Sequence, residues 1–293
     1  MTTNIEQAHN EKNRVAAVSV LAAIFLTCSK LIIGVLTGSL GILSEALHSA
    51  LDMVAAMITF FAVRISDKPP DAEHNFGHGK VENLSAFFET ILLLITCIWI
   101  IYEALHRLIT GNIHIEISVW SFVVVIASIV VDFTRSRALA RVAKKFNSQA
   151  LEADALHFST DIWSSAVVLL GLVCAKFGYY FADSIAALAV AAIVISVSYR
   201  LGRRSIDVLL DHIPQNVYGK VQSVLHNIPE VSKFHDVKIR TAGADTFIEI
   251  NIHVRPTLTI EEAHEIAHRV EDIIRSVVDR CTVFVHTEPD IDE

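Results

Sequence analysis

The chain has 293 residues, 53% of them hydrophobic and only 19% charged, with a mean hydropathy of +0.48, too apolar for an ordinary soluble domain of this length. The net charge of −8 is held unevenly: residues 206–293 carry 16 acidic and 8 basic side chains, whereas residues 1–205 carry 16 of each. A membrane body with an acidic soluble appendage follows, and nucleic acid, which requires a basic face, is excluded as a partner.

In chain order, the opening MTTNIEQAHNEKNR is polar and lacks the hydrophobic core and cleavage site of a removable signal peptide. A bilayer core about 30 Å thick needs roughly 20 apolar residues per helix. Six stretches meet that length, at about 15–37, 42–64, 82–108, 117–137, 154–177 and 181–200. The connections TGSLG, HRLITGNIHIE and KFGYY carry little charge. The opposite side holds Lys12, Arg14, the segment RISDKPPDAEHNFGHGK, the cluster Arg135, Arg137, Arg141, Lys144 and Lys145, and Arg200, Arg203 and Arg204. By the positive-inside rule both termini are cytoplasmic, which an even number of spans permits. The predicted architecture is an all-α six-helix transmembrane domain over residues 1–205 and a cytoplasmic α+β domain over 206–293.

In the second domain, residues 215–227 read as a helix, 232–241 as a strand and TAGADT as a turn, and FIEINIHV at 247–254 alternates as a half-buried strand does. Thr259 then caps an amphipathic helix with Ala263, Ile266, Ala267, Val270, Ile273, Ile274 and Val277 on one face. CTVFVHTEP closes as a third strand. The four cysteines, Cys28, Cys97, Cys174 and Cys281, have neither CxxC spacing nor the pattern of a disulfide framework.

Three constellations carry candidate chemistry. In the second span, SEALHSALDM places His48 and Asp52 at i and i+4 on one helix face, and EADALHFSTDIW repeats the spacing with His157 and Asp161 in the fifth. An aspartate at mid-membrane costs on the order of 3 kcal/mol on insertion scales, so intramembrane ionisable residues are read as functional by default. The plainer alternative is that the pairs only lock two helices together. Two imidazoles and two carboxylates form an N2O2 set suited to Zn2+, with Co2+, Cd2+ or Fe2+ possible, and poor for Mg2+ or Ca2+. The same groups bind protons when empty, so metal and H+ compete.

The loop DAEHNFGHGK offers Asp71, His74 and His78 among turn-forming Pro69, Pro70, Gly77 and Gly79; GHGK lacks the spacing of a phosphate-binding loop. The tail holds seven of the 14 histidines, and His235, His264, His286 and Glu288 begin or end adjacent elements where they can converge. Exposed loop residues and surface histidines are the respective alternatives. HEIAH at 264–268 also fits the H-E-x-x-H zinc protease pattern with Glu265 as base, but on a short amphipathic helix in a domain with no evident cleft. Lys30 and Asp132 are read as the remaining charges within the spans, Lys30 snorkelling outward and Asp132 pairing with Arg135.

Taken together, GSLGILSEALHSALD, HNFGHGKVENL, EADALHFSTD and a tail with EEAH and VFVHTEP resemble the cation diffusion facilitator family of metal/proton exchangers, nearly over the full length. The resemblance implies a transport site at His48, Asp52, His157 and Asp161, with His48 similar to the zinc-preferring branch of bacterial-type exporters in the cell inner membrane. It further implies a peripheral site at Asp71, His74 and His78, and a ferredoxin-like, metallochaperone-like tail that forms a homodimer and carries a regulatory site on His235, His264, His286 and Glu288. Asn251 stands where related exporters carry histidine, and His253, two residues on and on the same strand face, is the candidate replacement. Lys80 and Asp211 match a structural charge pair of the family. The function so implied is export of Zn2+ against H+ through alternating access, by a transporter that is not an enzyme; a membrane-anchored metal sensor is the competing class.

Overall fold

The computed structural model describes residues 2–37, 40–110, 119–176 and 181–291. These fall into two compact units, Met1–Ile206 and Asp207–Glu293. The first is built of long helices: α1 (Thr2–Thr37), α2 (Leu40–Ser66), α3 (Lys80–Thr110), α4 (Val119–Phe146), α5 (Gln149–Lys176) and α6 (Phe181–Leu209). Parts of the three apolar connections, at 38–39, 111–118 and 177–180, lie outside the described residues.

Three helices, α1, α4 and α6, outrun the predicted apolar stretches by two turns or more. α1 starts at Thr2 because its polar first turns are anchored: Lys12 is buried and bonds Asp67 and Glu82, the latter at 3.0 Å. α4 continues to Phe146 through Arg135, Arg141 and Lys144, good helix formers whose charges line its far end. Among the described residues, Gln7–Leu36, Ala46–Ser66 and Lys80–Thr110 are long and apolar enough to cross a bilayer by length and composition.

The bundle is inside out relative to a soluble protein. Leu36 is 81% and Trp99 67% exposed, while Glu89 and Asp154 are 1% and 0% exposed. Apolar side chains outside and charges inside suit a lipid surround, where the hydrophobic effect does not sort residues and polar groups must satisfy one another within the protein. Small residues let the helices approach: Ala16, Ala56, Ala62, Ala143, Ala150 and Ala155 pack with Val63, Leu139, Leu151 and Phe158 across α1, α2, α4 and α5. At Gly34 a Cβ would stand 2.9 Å from the Leu43 side chain and 3.2 Å from its backbone nitrogen, so a larger residue would have to push Leu43 aside at this α1–α2 contact.

The second unit contains α7 (Gln215–His226), β1 (Lys233–Ala242), β2 (Asp245–Val254), α8 (Ile260–Val277) and β3 (Cys281–Pro289), the helix, two strands, helix, strand order read from the sequence. The sheet order is β1-β2-β3, with β1 antiparallel and β3 parallel to β2. The β1–β2 hairpin turns at Gly243, whose φ of +61° suits glycine. Strict alternation buries Ile248, Ile250, Ile252 and Val254 against Val221 and Leu225 of α7 and Ile266, Val270 and Ile274 of α8. The opposite sheet face, with His235, Asn251, His253, His286 and Glu288, is left without a covering helix in this unit.

A reciprocal capping box starts α8: Glu262 N–H donates to Thr259 Oγ1 at 3.2 Å, and Thr259 N–H donates to Glu262 Oε2 at 2.8 Å. The Thr259 N–H is the main reason that the Glu262 carboxyl ionises below its ordinary range. A depressed pKa means that the cap contributes fully above the unfolded value and is lost as pH falls through the folded one. Hydrogen exchange of the first turn of α8, corrected for intrinsic rates, is therefore expected to stay slow at neutral pH and to accelerate as pH drops below about 4, a step that Glu262→Gln should abolish.

Candidate metal centre

The two i,i+4 pairs meet where α2 packs on α5, with Ala56 of one helix and Ala155 of the other buried in the same cluster. His157 Nε2 lies 3.1 Å from Asp52 Oδ1 and 3.8 Å from Asp161 Oδ2; His48 Nε2 lies 3.6 Å from Asp161 Oδ1 and 3.9 Å from Asp52 Oδ1. Each carboxylate therefore faces both imidazoles, and each imidazole both carboxylates. Four ligands held about 2.0–2.1 Å from a tetrahedral ion lie about 3.3 Å apart; the ligand atoms of His48, Asp52 and Asp161 all lie within 4.8 Å of one another, and His157 joins them through its contacts with the two carboxylates. Asp52, His157 and Asp161 are buried, whereas the His48 side chain is 40% exposed, so the cage opens on the His48 side. Asp161 Oδ2 accepts no hydrogen bond, an orphaned buried acceptor of the kind that a cation satisfies.

The sequence reading of Asp132 agrees with the structure, and that of Lys30 does not. Asp132 pairs with Arg135 at 3.2 Å. Lys30, read as snorkelling, is instead buried and donates to Ser49 Oγ at 2.7 Å, beside His48. It lies seven residues from the end of α1, roughly 10 Å along the axis, beyond the reach of a lysine stem. Sequence reasoning also passed over Glu89 and Asp154. Both are fully buried, Glu89 accepting from Thr59 and Ser85 and Asp154 from Ser19 at 3.3 Å. The available signal was spacing: Asp154 precedes Asp161 by seven residues and Thr59 follows Asp52 by seven, the same helix faces as the ligands.

In the loop, the structure brings Asp71, His74 and His78 together. Asp71 Oδ1 accepts from the backbone N–H groups of His74 at 2.6 Å and Glu73 at 3.0 Å, and the His74 N–H is the main cause of a carboxyl pKa below the usual range. Asp71 Oδ2 is left to face His78 Nε2 at 3.4 Å. The turn closes through Gly77, with φ +74° and its N–H on the His74 carbonyl at 2.9 Å, which sets the His74 and His78 rings 4.4 Å apart.

On the open sheet face, register places Asn251 between His235 and His286, and His253 opposite Glu288. The resulting group is His235, His253 and Glu288: His253 Nε2 is 3.2 Å from His235 Nδ1 and 3.6 Å from Glu288 Oε2. Asn251 acts as a spacer, its amide donating to Glu288 Oε1 at 3.2 Å. His286 lies at the edge, 3.8 Å from Glu288 Oε1. His264 does not join this group within the chain, because α8 packs on the other sheet face; it is exposed, with its Nε2 3.0 Å from that of His268. Among the described residues that pair gathers no third metal ligand, as a zinc protease would require.

These features define a helical membrane protein with a polar ligand cage in its bundle, a second ligand cluster in a loop and a third on an appended sheet domain. Residues 16–210 match the cation efflux transmembrane domain and residues 213–290 the cation efflux protein cytoplasmic domain, so the chain belongs to the cation efflux family of transporters. It is 33% identical over 271 residues to an uncharacterized transporter of Methanocaldococcus jannaschii, covering 92% of this chain and 95% of that one. It is 29% identical over 272 residues to the cation-efflux pump FieF of Shewanella oneidensis, covering 92% of both. The metal-bound C-terminal domain of the CzcD transporter from Thermotoga maritima is 30% identical over 27% of this chain and 94% of that one, with a TM-score of 0.26.

Arg135 holds the bundle beside the cage: its guanidinium lies 3.5 Å over the Phe158 ring and bonds Asp132 and Ser19. A lysine cannot reproduce the planar fork or the stacking. Arg135→Lys is expected to lower stability by about 1–3 kcal/mol, the cost of leaving buried acceptors unmet, which thermal unfolding of the detergent-solubilised protein would register as a lower midpoint.

Proposed function

We propose that the protein exports a divalent transition metal, Zn2+ foremost, in exchange for H+, with His48, Asp52, His157 and Asp161 as its transport site. The observation that carries this reading is the alternating ring of two imidazoles and two carboxylates, with separations of 3.1–3.9 Å, inside a bundle with an apolar exterior. Mixed nitrogen and oxygen ligation at tetrahedral spacing favours Zn2+ over Mg2+ and Ca2+; Co2+, Cd2+, Fe2+ and Mn2+ compete by availability more than by ligand type.

Exchange follows from the ligand chemistry. Imidazole ligates only when neutral, so metal binding displaces protons and protonation on the far side releases metal. Six spans in the inner membrane with both termini cytoplasmic place the loop and tail clusters on the side from which metal is collected, and rocking of the bundle about the fixed site presents it to each side in turn. In this reading the loop set Asp71, His74 and His78 is a peripheral site. The tail set His235, His253 and Glu288, with His286 at its edge and His264 on α8, is regulatory, and the tail joins two copies into a homodimer. Exposed Phe284 on the same open sheet face supports an interface there.

In proteoliposomes containing a zinc-sensitive dye, an opposing pH gradient is expected to accelerate Zn2+ uptake, and Asp52→Ala should reduce uptake to background. Transport without gradient dependence would overturn the exchange, and full activity of Asp52→Ala would overturn the site. His48→Asp should broaden uptake toward Mn2+ and Fe2+ relative to Zn2+, read from initial rates with each metal. His253→Ala is expected to reduce the Zn2+ bound per chain in equilibrium dialysis while leaving Asp52-dependent binding unchanged.

A further inference from the structure

Below the ligand cage the bundle interior is polar in layers that the transport site does not explain. On α2 the series Asp52, Thr59, Ser66 recurs every seven residues, on α5 Asp161 and Asp154 do so, with Ser148 just ahead of the helix, and on α3 Glu89 and Glu82 follow the same step. Seven residues are two turns, a rise of about 10 Å, so these side chains stack on one face of each helix. Thr59, Ser66 and Ser148 donate in turn to Glu89 and Glu82: Thr59 to Glu89, Ser66 to Glu82 at 3.1 Å, and Ser148 to Glu82. Lys12 closes the lowest layer on Glu82 and Asp67. The column thus runs roughly 20 Å from the cage to the end of the bundle that bears the loop.

The layers are not equivalent. Glu82, in the lowest, shares the Lys12 ammonium with Asp67. In the middle one, Glu89 Oε1 takes both hydroxyl donors, and Glu89 Oε2 is buried with no hydrogen-bond partner; Asp154 Oδ1 is in the same position. Both residues are completely buried, and they interact electrostatically with each other and with His157. Two buried carboxylate oxygens without donors, held in one layer of the bundle, cost free energy unless a metal cation or a proton visits them. Glu82 meets Lys12 and Asp154 interacts with the Arg135 guanidinium, whereas among the described residues no lysine or arginine pairs with the Glu89 carboxylate.

We propose that Glu89, with Asp154 beside it, is a way station for the metal cation between the loop-bearing end of the bundle and the four-ligand site, and that the layered column is the closed form of that route. Hard carboxylate oxygens without imidazole hold a divalent cation loosely enough to pass it on, and the nitrogen ligands above take it up. This rests on the transport-site reading of His48, Asp52, His157 and Asp161. A way station speeds arrival and departure alike and leaves equilibrium affinity at the destination unchanged.

The test uses the full chain and Zn2+. In proteoliposomes, Glu89→Gln is expected to raise the KM for Zn2+ at least tenfold and to leave kcat within twofold. Asp52-dependent Zn2+ binding, taken as the difference between otherwise identical chains with and without Asp52→Ala, should keep its affinity within twofold. Unchanged KM would overturn the proposal. So would a raised KM matched by an equal loss of affinity, which means a distorted site, or a fall in kcat alone with altered pH dependence, which means a role for protons only. Glu89→Asp keeps the charge and decides the matter if the glutamine variant does not fold: KM should rise two- to fivefold, and no rise overturns the proposal. Should Asp52→Ala retain binding and transport, it is the transport-site reading that fails.

Discussion

The arrangement of the bundle depends on one constraint: four ionisable groups must be kept out of water without losing partners. Asp52 and Asp161 are tolerable in a lipid-facing bundle because each meets two imidazoles within 3.9 Å. Small Ala56 and Ala155 in the core that α2 and α5 share help to bring the pairs within contact. The same requirement explains the company the cage keeps. Lys30 on Ser49 and Arg135 between Asp132, Ser19 and Phe158 place positive charge around an acidic centre and offset part of its negative charge.

Much of this was legible in the sequence. LHSALD and LHFSTD carry the same pair at the same spacing, and an aspartate in an apolar run advertises itself. The loop cluster was equally local, with three ligands inside eight residues and glycines and prolines to bend them together. The tail strands were readable from alternation, and the Thr259 cap from its glutamate three residues on.

What escaped was whatever depends on three-dimensional partners. Glu89 and Asp154 sit near the ends of apolar stretches, where a carboxylate reads as interfacial, and only helix packing reveals that both are sealed inside. Lys30 was read by the reach of its own chain, when the partner that holds it, Ser49, belongs to a neighbouring helix. In the tail, strand parity puts His253 on the face of Asn251, and register then sets it beside His235 and Glu288, but convergence of His264 could not be judged without knowing on which sheet face α8 lies. Register decided the rest: Asn251 occupies the central position between His235 and His286, so its neighbour two residues along is the one that meets the carboxylate.

The contact at Gly34 has a mechanical meaning. With the Leu43 backbone nitrogen only 3.2 Å from where a side chain would begin, α1 and α2 leave no room at this point for even a methyl group unless Leu43 gives way. A side chain at position 34 would wedge the two helices apart beside the short connection that joins them, so the closeness of that corner is set by the absence of one methyl group.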